Sequence, residues 1–345
     1  MENRKTTCAL WFLFAMVLLA VSLFHVSAFA KDQGTSLTPG VVQSDDYRPV
    51  LVQLSHESIS APLWGVEDAD ILYECIIDGE LHTRYIALYQ DQYPDVVGPV
   101  RGTMAYGLSL QAAWDCPFVF VGAQPATDTR MYEGMRNNAA DVLIIDKTLG
   151  DNRGRFAYNA DRSFQDRYSI KLNTWVEFFW PLAANTGEAY VPRPSGLLFT
   201  SEGSAGKSTA ALITVPYTDA YCVQYTYVPE QQHYLRKTED EEQEWHMPLA
   251  VSNVVLQCMP IYYDPPGKTG DENPLDYPAY EMLGEGPFIG FVNGTVVIGT
   301  WNREAENAPY TYTLENGNPF ILRSGKTFIH LLPEELYATV VENIQ

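Results

Sequence analysis

Alternating apolar and polar positions predict strands in the first half of the chain. We expect the fold to start at residues 48–49, followed by a first strand at 50–54. Two β-rich runs, 71–77 and 81–90, are separated by Asp78-Gly79, which is a strong signal for a two-residue hairpin turn. The pattern therefore predicts a β-hairpin at this position.

Strands and helices alternate after this hairpin. The predicted elements are a helix from Thr103 to Asp115, a strand at 118–121, a helix at 126–137, a strand at 142–145 and a helix at about 166–180. Both strands are continuous apolar runs, which are typical of strands buried on both faces, and Thr103 is a favourable N-cap residue. This alternation predicts a mixed α/β N-terminal domain over residues 48–190.

The pattern changes after about residue 190, where short strands dominate and acidic, Gly-rich and Pro-rich segments interrupt them. Asn293-Gly294 lies between two of these strands and predicts a second tight hairpin. A short amphipathic helix is expected from Glu334 to about Asn343. Residues 191–345 are therefore predicted to form a mostly-β C-terminal domain.

The N-terminus has the pattern of an export signal. A short basic segment precedes an uncharged apolar stretch over residues 8–24, and a small-x-small pattern follows at 28–30. The apolar stretch is shorter than the roughly 20 residues that span a bilayer, which favours cleavage after Ala30 over an uncleaved anchor. Residues 1–30 are interpreted as a signal peptide or N-terminal anchor, and residues 31–47 as a flexible linker. The rest of the chain is expected to be extracytoplasmic, either secreted or anchored to the outer face of the cytoplasmic membrane.

The net charge narrows the range of binding partners. A formal net charge of −21 argues against nucleic acid and anionic lipid headgroups, because both need basic patches. Membrane contact is expected only through the N-terminal segment, if that segment stays uncleaved.

Four cysteines follow the signal and lie in or beside apolar runs, so two disulfides or buried thiols are both open: Cys75, Cys116, Cys222 and Cys258.

Familiar catalytic motifs are matched only in part. Gly206-Lys207 lacks the first glycine of a phosphate-binding loop, since Ser201 occupies that position. The histidines after the signal show neither HxH nor HExxH spacing, and Gly-x-Ser-x-Gly does not occur. His330 alternates with apolar neighbours and is interpreted as a strand histidine with satisfied hydrogen bonds. We therefore expect no metal and no cofactor, and no residue pattern specifies a reaction.

Charged residues near strand ends in the first domain form a candidate ligand site. Loops that leave the carboxyl ends of buried strands are where α/β sheets gather ligands. Two or three arginines that converge there bind a carboxylate or phosphate bidentately. The candidate site residues are Asp70, Glu74, Arg84, Arg101, Arg155 and Asn159.

Glu74 and Arg84 also have a structural interpretation as a cross-strand ion pair. A two-residue Asp78-Gly79 turn pairs Glu74 with Thr83 and directs the two charges to opposite faces of the hairpin. A three-residue loop instead places Glu74 directly opposite Arg84. Because Asp-Gly favours the two-residue turn, we expect separate roles, while ligand binding and structural use both stay open.

The same residues carry a resemblance to the DUF3048 family of bacterial envelope proteins. The matching segments are residues 69–74, 83–85, 98–101, 121–123, 299–303 and 324–329. The resemblance spans roughly residues 48–333, and it implies two domains and an extracytoplasmic location without supplying an activity. The chain departs from the family pattern at Ala157-Tyr158, where many members have Pro-His, and it lacks the usual lipobox cysteine.

Three functions remain open from the sequence. The first is a non-enzymatic envelope protein that binds an anionic ligand or cell-wall component through Arg84, Arg101 and Arg155, with Asp70 and Glu74 orienting these arginines. The second is a hydrolase or transferase of cell-wall polymers, whose acid/base pair is Asp70 and Glu74 at a separation of roughly 5–10 Å. The third is a protein–protein adaptor at the membrane surface that uses the aromatic-rich β-domain.

Overall fold

A mixed sheet of eleven strands runs through the molecule and takes strands from both halves of the sequence. The computed structural model describes residues 47–56, 62–90, 92–123, 144–146, 156–158, 168–173, 176–177, 195–239, 249–263 and 278–343. All of them belong to one compact unit, Leu37–Gln345.

The first half contributes five strands to this sheet. The strands, the 3-10 turn and the helix of this half are β1 Val50–Leu54, the turn Val66–Asp68, β2 Ile71–Ile76, β3 Thr83–Tyr89, α1 Ala105–Trp114, β4 Phe118–Phe120, β5 Ile144–Asp146, β6 Phe156–Tyr158 and β7 Tyr168–Ile170. β1 pairs antiparallel with β3 and parallel with β4, and β4 pairs parallel with β5. β6 and β7 form a separate antiparallel pair.

The second half is built almost entirely of strands. Its elements are β8 Leu198–Thr200, β9 Ser208–Thr209, β10 Leu212–Pro216, β11 Cys222–Val228, β12 His233–Glu239, β13 Leu249–Val251, β14 Asn253–Cys258, β15 Ile261–Tyr263, β16 Pro278–Tyr280, β17 Gly284–Val292, β18 Thr295–Arg303, β19 Thr311–Leu314, β20 Ile321–Arg323, β21 Thr327–Leu332 and α2 Glu334–Asn343. β10 to β13 form a four-stranded sheet of their own, called here the upper sheet.

The two halves meet inside the large sheet. Its order is β19-β18-β17-β14-β21-β2-β3-β1-β4-β5, with β9 paired to β18. The junction is the parallel pair of β21 with β2, in which Glu74 lies opposite His330. Strands from the predicted N-terminal and C-terminal domains are therefore hydrogen-bonded to each other, while the predicted boundary near residue 190 falls outside the described residues.

Both faces of the large sheet are covered. On one face, β1 to β3 and β21 pack against the upper sheet and α2, through residues such as Tyr85, Phe328, Tyr225 and Leu336. On the other face, α1 packs through Leu110 and Trp114 against the alternate residues of the same strands. These two surfaces are called here the upper face and the α1 face.

The structure corrects the predicted hairpin register. Glu74 pairs with Tyr85 and Cys75 with Arg84, so the connection is longer than either predicted loop. Ile77 donates its N–H to the carbonyl of His82, and Asp78 accepts N–H bonds from Glu80 and His82. The Asp78 carboxylate thus holds a four-residue loop. The separation of the two charges onto opposite faces is nevertheless confirmed, because Arg84 shares the α1 face with Cys75.

Other local predictions have mixed outcomes. The helix predicted from Thr103 to Asp115 is confirmed as α1, but its N-cap is Met104 and no side chain caps it. The Asn293-Gly294 hairpin is confirmed, because Val292 pairs with Thr295 across a turn in which both central residues have positive φ. The helix predicted at 166–180 is wrong at Tyr168–Ile170, which form β7. The helix predicted at 126–137 lies outside the described residues.

The described residues are mostly strands with few helices, and the predicted α/β character of the N-terminal domain stays a prediction. All four described cysteines are thiols rather than disulfides, which resolves the alternative left open by the sequence.

Candidate functional site

Arg84 lies on the α1 face, close to the point where β1 ends. Tyr85 pairs with Leu54, the last residue of β1, so Arg84 stands just beyond that end. Its Nη1 donates to the carbonyl oxygen of Gly102 at 2.9 Å. This contact brings the guanidinium to the segment that leads into α1.

Arg101 lies in that same segment. Its backbone N–H donates to the carbonyl of Gln53 at 3.0 Å, and its carbonyl accepts the N–H of Val121 at 2.9 Å. Val100 bridges to Leu54 and packs on the upper face, so alternation along the extended backbone directs Arg101 toward the α1 face. The two arginines are thus brought to one edge and one face of the sheet, at the carboxyl ends of the parallel strands β1 and β4.

The first turn of α1 begins at the same edge. Helix N-termini carry partial positive charge and N–H groups without intrahelical partners. The hydroxyl of Tyr106, in this first turn, is buried and has no hydrogen-bond partner. Burial raises the pKa of Tyr106, Cys75 adds to this effect, and the nearby charge of Arg84 opposes it.

Asp70 and Glu74 do not lie together. Asp70 Oδ2 accepts the N–H of Gln90 at 2.9 Å, which fixes the start of β2 against the end of β3. Along the extended chain, the Cα atoms of the two residues lie about 13 Å apart. Glu74 lies instead on the upper face, among side chains of the upper sheet. This arrangement does not support the acid/base pair of the enzymatic alternative.

Glu74 is the centre of a buried polar group, called here the Glu74 cluster. Its members are Glu74, Thr83, Tyr85, Tyr217, Tyr221, Tyr225, Arg236 and His330, with His56 at the edge. Glu74 Oε1 accepts the hydroxyl protons of Thr83 at 2.8 Å and Tyr221 at 2.6 Å. The partners of the Glu74 carboxylate come from both sides, Thr83 and His330 from the large sheet and Tyr221 and Arg236 from the upper sheet and the turn before β11.

Arg236 faces the second oxygen of Glu74. Its Nη2 lies 3.6 Å from Glu74 Oε2 and donates to the hydroxyls of Tyr85 at 2.8 Å and Tyr221 at 3.1 Å. The guanidinium also stacks over the rings of Phe328 and Tyr85, at 5.0 and 5.6 Å. Its Nε and Nη1, like Glu74 Oε2, are buried without a hydrogen-bond partner. The ion pair is therefore fully buried, and several of its polar atoms lack a protein partner.

His330 completes the cluster from β21. Its Nδ1 lies 2.8 Å from the Tyr217 hydroxyl and 3.4 Å from Glu74 Oε2, and its Nε2 lies 2.7 Å from the Tyr225 hydroxyl. Burial lowers the pKa of His330 well below its ordinary value, and Arg236 adds to this effect. Burial raises the pKa of Glu74, against the opposing pull of Arg236, Tyr221 and Thr83. The interpretation of His330 as a strand histidine with satisfied hydrogen bonds is confirmed.

Sequence reasoning missed Arg236 and the tyrosines around it. One signal was present, because Arg236 alternates with Tyr234 on the inward face of β12, where a charge is unusual. Two further candidate site residues, Arg155 and Asn159, lie outside the described residues. Among the described residues, no group of three or more His, Cys, Asp or Glu side chains is arranged to hold a metal ion.

Within the described ranges, no helix is both long and apolar enough to cross a bilayer.

Both halves of the chain match a known family. Residues 35–164 match the domain described as "Protein of unknown function (DUF3048) N-terminal domain", and residues 213–329 match the corresponding C-terminal domain. The chain is 25% identical over 346 residues to "Putative lipoprotein YerB" of Bacillus subtilis, covering 97% of this chain and 96% of that protein. The crystal structure of the Bacillus subtilis YerB protein superposes with a TM-score of 0.65 at 22% identity, over 84% of this chain and 91% of that chain. The structural likeness shows a shared fold.

Proposed function

This chain belongs to the DUF3048 family, and on that basis we propose that it is an exported cell-envelope protein that binds an anionic ligand or cell-wall component through arginines of its N-terminal half. Arg84 and Arg101 are the principal contacts in this proposal. Arg155 and Asn159 belong to it from the sequence alone. Asp70 and Glu74 act indirectly, because each is engaged elsewhere in the fold.

The observation that carries the proposal is the bond of the Arg84 guanidinium to the carbonyl of Gly102, the residue that follows Arg101. Both side chains are on the α1 face at the carboxyl ends of β1 and β4, where sheets of this type gather ligands. The chain as a whole carries a net charge of −21. Two arginines at the same edge of the sheet in such an acidic chain favour an anion there.

The start of α1 adds to this local positive potential. Its N-terminus has no capping side chain and begins three residues after Gly102. The Tyr106 hydroxyl, which has no hydrogen-bond partner, supplies a further donor on the α1 face. Arginine forks, a helix N-terminus and a hydroxyl are the groups that proteins commonly use to bind phosphate or carboxylate.

The proposed location outside the cytoplasmic membrane has two supports. The N-terminal segment has the charge and apolar pattern of an export signal, and a relative is named as a lipoprotein. Whether residues 1–30 are removed decides between a secreted and an anchored form.

Calorimetric titration tests the proposal. The probes are soluble peptidoglycan fragments, which carry carboxylates, and inorganic polyphosphate, which carries phosphates. We expect binding to at least one probe, and we expect Arg84→Ala and Arg101→Ala each to weaken it about 10- to 100-fold, since a hydrogen bond to a charged group contributes about 1.5–3 kcal/mol.

Two matched variants separate binding from folding. Arg323→Ala removes an arginine that is bound to Gln232 far along the chain, and it should leave the affinity unchanged. Tyr106→Phe removes a hydroxyl that has no partner, so it should weaken binding without loss of stability. The proposal fails if neither probe binds, or if the Arg84 and Arg101 variants bind as tightly as the Arg323 variant.

A further inference from the structure

We propose that the Glu74 cluster is an acid-sensitive latch, in which uptake of a proton by His330 loosens the packing of the upper sheet on the large sheet. This inference concerns the upper face and is independent of the anion site on the α1 face. Its basis is the position of one buried histidine between two sheets.

The latch joins elements that are far apart in sequence. Glu74 on β2 and His330 on β21 are opposite each other in the large sheet. Tyr217 and Tyr225 of the upper sheet bond to the two ring nitrogens of His330. Tyr221 of the same sheet bonds to Glu74. Most polar contacts of the cluster thus cross from one sheet to the other.

His330 cannot take up a proton in the closed latch without disrupting one of its hydrogen bonds. The ring is fully buried, and each nitrogen has a tyrosine hydroxyl as its partner. A neutral imidazole satisfies this arrangement with one donating and one accepting nitrogen, whereas a protonated ring has two donors. Protonation therefore forces Tyr217 or Tyr225 to change its hydrogen bonding.

The surrounding charges decide how the added proton is tolerated. The titratable and charged groups that face His330 or the shell around it are Glu74 from β2, Tyr85 from β3, Tyr217, Tyr221 and Tyr225 around β11, Arg236 from β12, and His56 after β1. Glu74 and Arg236 balance each other, so a protonated His330 adds a net positive charge to a fully buried site. Opening of the cluster to water relieves this charge.

The direction of the pH effect follows from these contacts. The pKa of His330 is lowered by burial in the closed form and returns to about 6.5 in an open form. The closed form is thus fully stable above about pH 6.5, and it loses stability as pH falls toward the lowered pKa. Glu74 has the opposite linkage, because its raised pKa favours the closed form in acid. Comparison of two proteins that differ only at His330 removes the Glu74 contribution.

Amide hydrogen exchange on the full protein tests the latch. We expect the opening equilibrium of β11 and β12, after correction for the intrinsic exchange rate, to rise with falling pH below about 6.5. Replacement His330→Gln keeps hydrogen-bonding groups without a titrating proton. The opening equilibrium constant of this variant should depend less steeply on pH. For each pH unit below about 6.5, that of the parent should rise by up to tenfold more than that of the variant.

His82→Gln is the matched control, because its side chain is 64% exposed and lies in the hairpin loop. It should keep the pH dependence of the parent protein. The proposal is overturned if His330→Gln and the parent show the same dependence. If the His330 variant does not fold, NMR of the parent protein supplies a second measurement. The imidazole nitrogen signals of His330 should remain those of a neutral ring at about pH 5.5, where an unperturbed imidazole with a pKa of about 6.5 is mostly charged. A charged His330 in a fully protected upper sheet would also overturn the latch.

Discussion

Replacement of Glu74 by alanine will lower the free energy of unfolding by about 3–5 kcal/mol, because it leaves the fully buried Arg236 without its counter-charge. The same change removes the acceptor of the Thr83 and Tyr221 hydroxyls. Urea unfolding of the full protein at neutral pH measures the loss. Few other single substitutions in the chain are expected to have a larger effect.

A control and a double variant test the physical cause. Glu80→Ala removes a carboxylate that is 73% exposed in the hairpin loop, and it should change stability by less than about 0.5 kcal/mol. Glu74→Leu combined with Arg236→Met removes both charges and should be less destabilised than the sum of the single variants. Strict additivity of the two changes would contradict the ion-pair explanation.

Replacement of Arg303 by alanine will also cost about 3–5 kcal/mol. This side chain is fully buried at the end of β18 and reaches across to α1, where its Nη1 donates to Ser109 Oγ at 2.7 Å and its Nη2 to the Ser109 carbonyl at 2.9 Å. Its Nε donates to the carbonyl of Ala308 at 2.9 Å. The loss leaves several buried acceptors unpaired and opens a cavity. Thermal unfolding of the variant measures the loss in free energy of unfolding.

Arg303→Lys distinguishes the guanidinium fork from simple positive charge. A lysine ammonium is a single point charge and cannot reach the carbonyls of α1 and of the loop after β18 together. We therefore expect Arg303→Lys to recover less than half of the lost stability. Full recovery by lysine would show that charge alone, rather than the fork, stabilises this contact.

The local elements were predictable because their causes are local. The Asn293-Gly294 turn and the helix α1 follow from residue types within a few positions. The hairpin at Asp78-Gly79 shows the limit of such reasoning. The dipeptide favours a two-residue turn, but the Asp78 carboxylate accepts backbone N–H groups of Glu80 and His82 and thereby holds a longer loop.

The shared sheet was not predictable from local patterns. A change from mixed to mostly-β composition near residue 190 indicates two domains, yet β21 returns to pair with β2 across more than half of the chain. The Glu74 cluster depends on that pairing, since it places Glu74 opposite His330. Arg84 and Arg101 could be predicted as site residues because they lie near the ends of predicted strands, and a sequence pattern does reveal such ends. That Arg84 and Arg101 lie on the same face of the sheet follows only from the observed strand register.

The nitrogen Nε signals of arginine side chains in NMR spectra test the central claim most directly. The full protein is titrated with soluble peptidoglycan fragments and, separately, with inorganic polyphosphate. Anion binding at the α1 face predicts that the Nε signals of Arg84 and Arg101 shift with saturation, while those of Arg323 and the buried Arg236 stay in place. Saturating shifts confined to other arginines, or no shift at Arg84 and Arg101 with either probe, would contradict the proposed site.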